Sequence, residues 1–356
     1  MVSKMVRVIY FLMFIIAAGC SSLPVVQSTS GQKEESKQST DTTETTLVAK
    51  IQPVSNSAKV NDFCRKIDEK FQEYSWGKSR CDEFQWNHVR NSVLGDPLIW
   101  LTFGDEKEHE SNPQNSTMLF CGVHGDEITP VKFCFDAIYA VEKLDKDFFK
   151  NRFLVIAPIV NPDSFFKKIP SRTNHRNVDI NRNFPTKDWP AKALAMWRNY
   201  YKSDKRRFPG KKAVSEPEVV FQMNIIKRYS PDKIISVHAP LTMWDYDGPD
   251  DTIEVVREVL AVREFSAKSL LVGMSKKSNN YRIKDYPVFP GSLGNWAGNE
   301  RNIPTFTLEL PTSDPAKTDQ YWELFKNAIM SAFTTDLRGT KSGIVDTDDV
   351  TTKPGT

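Results

Sequence analysis

Residues 153–160 are apolar at every position, and a strand without polar alternation has to be covered on both of its faces. The surrounding chain offers the helices to do it. Further strands are expected at 97–103, 116–121, 233–237 and 305–310. Helices are expected at 130–143, from residue 215 through Val219, Val220, Met223 and Ile226, at 252–274 and at 318–336. The first of these places Val131, Cys134, Ala137, Ile138 and Val141 on one face, and Ser215-Glu216-Pro217-Glu218 reads as a capping box opening the second. Strands alternating with helices predict an α/β fold whose largely parallel sheet is covered on both faces.

In such sheets the functional site lies outside the carboxyl ends of the strands. The apolar run 118–121 leads there into His124-Gly125-Asp126-Glu127. Catalytic zinc is commonly held by two histidines and a carboxylate, with the fourth position left to water, and His124 and Glu127 would supply two of the three. Gly125 would let the backbone turn tightly enough for both side chains to share one small volume. An H-x-x-E pair also occurs in plain surface turns, so a third ligand has to be found elsewhere. His238 ends the strand expected at 233–237, a position topologically equivalent to His124. The bland reading of His238 is a histidine bonded to backbone at a strand end. His88 and His109 stand in polar surroundings and His175 in a polar loop, so none competes as strongly.

Glu309 is a lone carboxylate inside the apolar strand 305–310. Burying a charge there is costly without a partner or a task. Beside zinc-activated water it would act as general base and then as general acid toward a leaving amine; paired with an arginine it would be merely structural. The segment 172–185, R-T-N-H-R-N-V-D-I-N-R-N-F-P, carries the arginines. Arginine forks bind carboxylates bidentately and stabilise developing oxyanions. Arg182 with Asn181 could hold a substrate carboxylate while Arg172 polarises a scissile carbonyl; otherwise these are solvated surface groups.

The ends of the chain read differently. Residues 1–20 carry Lys4 and Arg7, an apolar run over 8–18 too short to span a bilayer, and Ala17-Ala18-Gly19-Cys20. That is a signal peptide, and its end resembles the bacterial lipobox, in which Cys20 becomes the lipid-modified first residue and Ser21 directs the product to the outer membrane where one exists. A secreted, unlipidated form is the alternative. Residues 21–60 and 339–356 are polar and aperiodic, expected as a tether and a flexible tail, with an extension at 61–90 and the catalytic domain at 91–338. At 356 residues and a net charge of +3, nothing argues for a nucleic-acid partner, and the chain offers no spanning segments for a transporter. The five cysteines lack paired C-x-x-C spacing, which speaks against a structural zinc ribbon. Cys64 and Cys81 are either a disulfide or two free thiols in an apolar cluster; Cys121 and Cys134 are expected as reduced, buried thiols.

Taken together, H-G-D-E at 124–127, N-P-D at 161–163, the 172–185 segment, S-E-P-E at 215–218, S-V-H-A-P at 236–240, G-S-L-G-N-W-A-G at 291–298 and T-L-E-L-P at 307–311 resemble the zinc carboxypeptidase family of the pancreatic carboxypeptidase A type. Within it, the likeness is to the bacterial murein peptide amidase branch. The resemblance runs from about residue 91 to 336. It implies a three-layer α/β/α sandwich on a mixed, mostly parallel sheet and one catalytic zinc ion on His124, Glu127 and His238. It further implies Glu309 as general base, Arg172 at the oxyanion, Asn181 with Arg182 as carboxylate anchor, and Tyr286 in the region of a mobile capping tyrosine. Asn177 and Ser164 stand where the family usually has glycine; asparagine tolerates a left-handed backbone, serine less readily. The function implied is an exported, lipid-anchored zinc hydrolase acting on cell-wall peptides at the γ-D-glutamyl–diaminopimelate amide. The rivals are a general metallocarboxypeptidase and a non-catalytic wall-binding lipoprotein. The loop expected at 241–250, with Trp244, Asp245, Tyr246 and Asp247, is the candidate lining of the specificity pocket.

Overall fold

A computed structural model of the chain describes residues 56–249 and 266–338. The signal sequence with Cys20, most of the tether, the amino-terminal part of the helix expected at 252–274 and the tail lie outside the described residues. Seven strands, β1 (Asn87–Asn91), β2 (Pro97–Phe103), β3 (Asn115–Phe120), β4 (Arg152–Ala157), β5 (Lys233–His238), β6 (Met243–Asp247) and β7 (Thr305–Glu309), form one sheet in the order β1-β2-β4-β3-β5-β7-β6. The central four, β4-β3-β5-β7, run parallel, and antiparallel strands close both edges. The eight described helices are α1 (Ala58–Glu73), α2 (Glu106–Ser111), α3 (Thr129–Glu142), α4 (Pro162–Phe165), α5 (Trp189–Asn199), α6 (Pro217–Tyr229), α7 (Ala267–Lys277) and α8 (Asp319–Thr334).

The sheet is buried on both sides, as the apolar run in β4 requires. Along β3, Leu119 joins a core built with α1, α3, α7 and α8, whereas Met118 and Phe120 join a second core built with α6. Successive side chains of a strand point to opposite faces, so one short run serves both layers. This is the expected α/β/α sandwich. Helix α1 is part of it: Ser57 caps its first turn by accepting from the Val60 amide, and Val60, Phe63, Ile67 and Phe71 pack into the first core. The stretch read as an extension therefore shares the domain's own core, and its β1 pairs with β2.

Several local expectations are corrected. The stretch 241–250 is not a loop over its described length; Met243–Asp247 is an edge strand antiparallel to β7, with Trp244 against Phe325 and Tyr246 against Phe306 on one face. Ser215 does not cap α6. Pro217 opens that helix after Glu216, and Asn183 Oδ1 accepts from the Ser215 and Glu216 amides, which holds Ser215 outside the first turn. His109 is buried rather than in polar surroundings, with one ring nitrogen against the Tyr229 carbonyl, the other accepting from the Gln114 amide, and its ring stacked on Phe153. Cys64 and Cys81 form a disulfide, which settles that alternative. Cys121 and Cys134 are also bridged rather than reduced: the residue leaving β3 and the second turn of α3 face each other with Cα atoms 6.2 Å apart, within disulfide reach. Among the described residues no helix is long and apolar enough to cross a membrane.

Candidate active site

The parallel strands deliver their functional residues to one end of the sheet. His238 is the last residue of β5 and pairs in register with Glu309, the last residue of β7. His124 and Glu127 follow β3 in a turn closed by a hydrogen bond from the Glu127 amide to the His124 carbonyl, 3.2 Å. Gly125 is needed there for space rather than for an unusual φ: a Cβ at that position would meet the Ser164 carbonyl carbon and Oγ at 2.4 Å. Ser164 thus sits in α4 directly under the metal-site turn, its hydroxyl donating to the Asn161 carbonyl. Asn177 adopts φ +60°, as its place in a left-handed turn requires.

The three ligand candidates converge. His124 Nδ1 lies 2.7 Å from Glu127 Oε1, His238 Nδ1 lies 2.8 Å from Glu127 Oε2, and the two rings are 5.0 Å apart. Each residue offers a ligand atom within 4.8 Å of the others'. The opposite ring nitrogens are already engaged, His124 Nε2 with Asp179 Oδ1 at 3.1 Å and His238 Nε2 with Ser236 Oγ at 3.0 Å. Both Nδ1 atoms are thereby turned toward one point beside a carboxylate, the donor set and outer hydrogen bonding typical of zinc. His88, His109 and His175 lie elsewhere, and this is the one cluster of its kind among the described residues.

Charge at this end of the site is balanced. Burial pushes Glu127 upward, but His124 and His238 outweigh it and hold its carboxyl well below the usual range. Asp179, fully buried, is likewise held low by Arg172 and His124 against the cost of burial. Burial and Arg172 oppose protonation of His124, yet Glu127 and Asp179 prevail and raise its pKa. Arg172 donates from Nε to Asp179 Oδ2 at 2.9 Å and from Nη1 to Glu127 Oε1 at 3.1 Å, leaving Nη2 without a hydrogen bond among the described residues. Asp179 is the residue sequence reasoning missed. It was quoted within V-D-I-N-R but given no role, although an acid between Val178 and Ile180 is the kind of signal that marks a buried, partnered carboxylate.

Glu309 differs from its neighbours. Among the described residues it makes no ion pair, so the structural arginine partner is absent, and it accepts only from the Leu241 amide at 3.2 Å. Burial, reinforced by the charge of Glu127, pushes its carboxyl up to about 7 against the pull of His238. A carboxylate near neutrality at a reaction site can both take and return a proton.

These groups line a cavity of about 360 Å³ that also includes Asn181, Arg182 and Tyr286. Asn181 Oδ1 accepts from the Leu293 amide, and among the described residues its Nδ2 has no hydrogen bond. Arg182 is buried, its guanidinium 4.2 Å over the Phe289 ring, its Nη1 on the Asn181 carbonyl and its Nε without a partner. Burial lowers its pKa. Gly291, at φ +78°, passes so close to the Arg182 carbonyl that a Cβ would lie 2.1 Å from it, so this glycine fixes where the arginine stands. Tyr286 lines the same cavity, its amide donating to Asp245 Oδ1. His124, Glu127, Arg172, Asn181, Arg182, His238, Tyr286 and Glu309 are thus brought to one cavity, joined by Asp245 and Asp247 of the 241–250 stretch and by Met243, whereas Trp244 and Tyr246, read as pocket lining with them, pack into the core on the other face of β6.

The chain matches the family described as zinc carboxypeptidase over residues 78–328. It is 28% identical over 223 residues to a murein peptide amidase A from Vibrio campbellii, covering 62% of this chain and 77% of that protein. Similarity to the murein peptide amidase A of Escherichia coli K12 is 25% over 244 residues, 68% of this chain and 86% of that one. Among solved structures, the carboxypeptidase A of Helicoverpa armigera superposes with a TM-score of 0.53 at 18% identity, over 78% of this chain and 72% of that one, a likeness of fold.

Proposed function

Because the chain belongs to the zinc carboxypeptidase family and is accordingly a hydrolase using one zinc ion, we propose that it cuts the peptides of the bacterial cell wall, at the amide between γ-D-glutamate and diaminopimelate. The observation that carries this reading is the pairing of an intact hydrolytic cavity with relatives named murein peptide amidase over most of their length. In this reading His124, Glu127 and His238 hold the metal. When bound, zinc acidifies water and polarises a carbonyl oxygen.

The chain's own side chains do the rest. Glu309, next to His238, accepts a proton from the attacking water at a carboxylate oxygen and passes it to the nitrogen of the departing residue. Arg172, anchored by Asp179 and Glu127, donates from its free Nη2 to the carbonyl oxygen as charge builds there. Arg182 and Asn181 hold the α-carboxylate that the departing residue carries, with the unpartnered Nε of Arg182 as the donor in waiting. Tyr286 closes the cavity over that residue. Asp179 is a positioning residue that fixes both Arg172 and the His124 ring.

We further propose export, with lipid on Cys20. Two disulfides within the folded domain support it, since such bridges persist in oxidising compartments. An exported enzyme would meet the wall itself, which favours remodelling or degradation over recycling of fragments.

The test is digestion of defined wall tripeptides and of purified wall, read by mass spectrometry, beside Glu309→Gln. Release of diaminopimelate-containing product by the native chain alone is expected. Release only of C-terminal residues from ordinary protein peptides would overturn the wall reading in favour of a general metallocarboxypeptidase. Retention of wall binding without any cleavage would leave only a binding lipoprotein.

A further inference from the structure

Outside the cavity, charge is spread unevenly over the molecule. Nine of the 26 residues of 187–212 are lysine or arginine and two are aspartate, whereas the rest of the chain carries 39 basic and 43 acidic residues. The excess positive charge of a nearly neutral chain is thus concentrated in one stretch. That stretch is surface: α5 leads into it, and Arg198, Lys202, Lys205, Arg206, Lys211 and Lys212 are exposed. On other faces exposed bases meet acids, as Arg65 does with Glu69, Lys150 with Asp147 and Lys326 with Glu323. Here the two acids are engaged locally, Asp188 with the Thr186 hydroxyl and Lys192, and Asp204 with the Arg206 amide. Among the described residues Lys202, Lys205, Lys211 and Lys212 have no ion pair.

The stretch is held in a frame. Trp197 packs on Phe208 with ring centroids 4.8 Å apart and donates from its indole to the Asp204 carbonyl at 2.8 Å, while the Ser203 amide returns to the Trp197 carbonyl. Further on, Asn183 Nδ2 donates to the Pro209 and Lys212 carbonyls at 2.7 and 2.8 Å. The frame presents like charges that repel one another, and an outside anion relieves that repulsion. Its inner edge reaches the active site: Arg206 and Arg207 line the cavity, Arg206 paired with Asp126 of the turn between His124 and Glu127, and Arg207 4.8 Å over the Tyr201 ring. Basic surface and cavity mouth are therefore continuous. Beside them Tyr200 is 73% exposed, its ring edge-on to Tyr201.

We propose that this basic face, running from the cavity mouth over Lys202, Lys205, Lys211 and Lys212, docks a carboxylate-bearing polymer, the intact wall, and holds it while the cavity takes a peptide from it. This rests on the reading above in which the substrate is a wall peptide. The chemistry of that substrate provides the complement. Glutamate joined through its γ-carboxyl keeps its α-carboxylate, and diaminopimelate has two carboxyls of which chain extension uses one, so a polymer of such peptides is a polyanion. Each exposed charge contributes little through screening water, but repeated contacts along one polymer add up. The ring of Tyr200 offers an apolar contact beside the charges. An anionic membrane is the poorer occupant, because a flat sheet seated on this face would cover the mouth next to it.

The experiment combines Lys202→Gln, Lys205→Gln, Lys211→Gln and Lys212→Gln in the zinc-loaded chain. Binding is measured in the Glu309→Gln background, with and without the four changes, by co-sedimentation with purified wall. The four changes should weaken wall binding by roughly 10-fold or more at low ionic strength, and the difference should vanish by about 0.5 M salt. With Glu309 intact, kcat/KM on whole wall should fall in step, while kcat/KM on the soluble tripeptide stays within about 3-fold of native, which also certifies folding. Wall whose carboxyls have been amidated should be held weakly with or without the lysines. Equal binding by the two forms, or full binding to amidated wall, would overturn the inference. So would tighter binding to vesicles of phosphatidylglycerol in phosphatidylcholine than to wall, lost in the same variant, which would assign the face to a membrane. Tripeptide cleavage without lysine-dependent wall binding would sink this inference alone. Lysine-dependent wall binding without cleavage of any wall peptide would keep the docking face and sink the substrate reading.

Discussion

The two ends of the cavity treat buried charge in opposite ways. At the metal end Glu127 lies between two imidazoles and Arg172, and Asp179 between His124 and Arg172, so both carboxyls are held well below their ordinary range. At the β6 end Asp245 and Asp247 have, among the described residues, backbone and amide donors only, and burial pushes both upward, Asp247 to about 6. The balanced end is organised before any ligand arrives, as a rigid catalytic constellation has to be. The unbalanced end is costly in the free protein, since a buried carboxylate without a counter-charge is poorly solvated. Glu309 lies between these extremes, buried with no ion-pair partner among the described residues, pushed up to about 7, and in register with the proposed ligand His238.

The largest effect should come from breaking the balanced end. His238→Ala removes one of the three proposed ligands and leaves Glu127 without one of its two imidazole partners; zinc content by atomic absorption should fall to background and hydrolysis with it. Zinc retained at one equivalent with undiminished activity would show that the ligand set is wrong. Glu309→Gln separates proton transfer from metal holding. Its kcat should drop by roughly 10²–10⁴-fold with zinc content unchanged, and a variant that loses zinc as well would place Glu309 among the structural acids instead.

Asp179→Asn tests whether the balance at the metal end is itself functional. Losing the charge that steadies His124 and Arg172 should weaken zinc binding by about 10–100-fold in a competition titration with a chelator. An unchanged affinity would reduce Asp179 to packing. The smallest effect concerns stability at the other end. The pKa of Asp247 is raised from 3.8 to about 6, so between those values the folded chain holds a proton that the unfolded chain has released. Its contribution is therefore fully present below about pH 4 and is lost as pH rises through about 6. Relative to the native chain, Asp247→Asn should gain on the order of 2 kcal/mol between pH 4 and pH 7, allowing for the partial exposure of the group. Denaturant midpoints at the two pH values measure this, and a difference that does not change with pH would mean that Asp247 is already compensated.

Much of this molecule is legible in short stretches. The ligand candidates His124 and His238 and the base candidate Glu309 stand where apolar runs end, and strand ends are visible in the order of residues. Asn181 and Arg182, the proposed carboxylate anchor, come from a local motif and line the expected cavity. What escaped was relational. The Cys121 to Cys134 bridge depends on how α3 lies across the end of β3, and both cysteines sit in apolar surroundings that equally suit free thiols. Strand β6 was read as loop although Trp244 and Tyr246 alternate with Asp245 and Asp247, the period of a strand with one core face and one polar face; at five residues the signal is short. Gly125 was assigned to turn geometry, whereas its reason is the backbone of α4 passing underneath.

By itself the sequence determined the α/β class, the positions of the strand ends and the set of side chains able to bind a metal, because periodicity and turn chemistry act over a few residues. Only the tertiary structure decided which ring nitrogens face the candidate metal point, that Asp179 steadies His124 from 55 positions away and Glu127 meets His238 across 111, and that two acids on β6 face the cavity with no ion pair among the described residues. Those facts depend on which distant groups share a buried volume, and burial is what turns a neighbouring charge from a screened surface effect into a strong one.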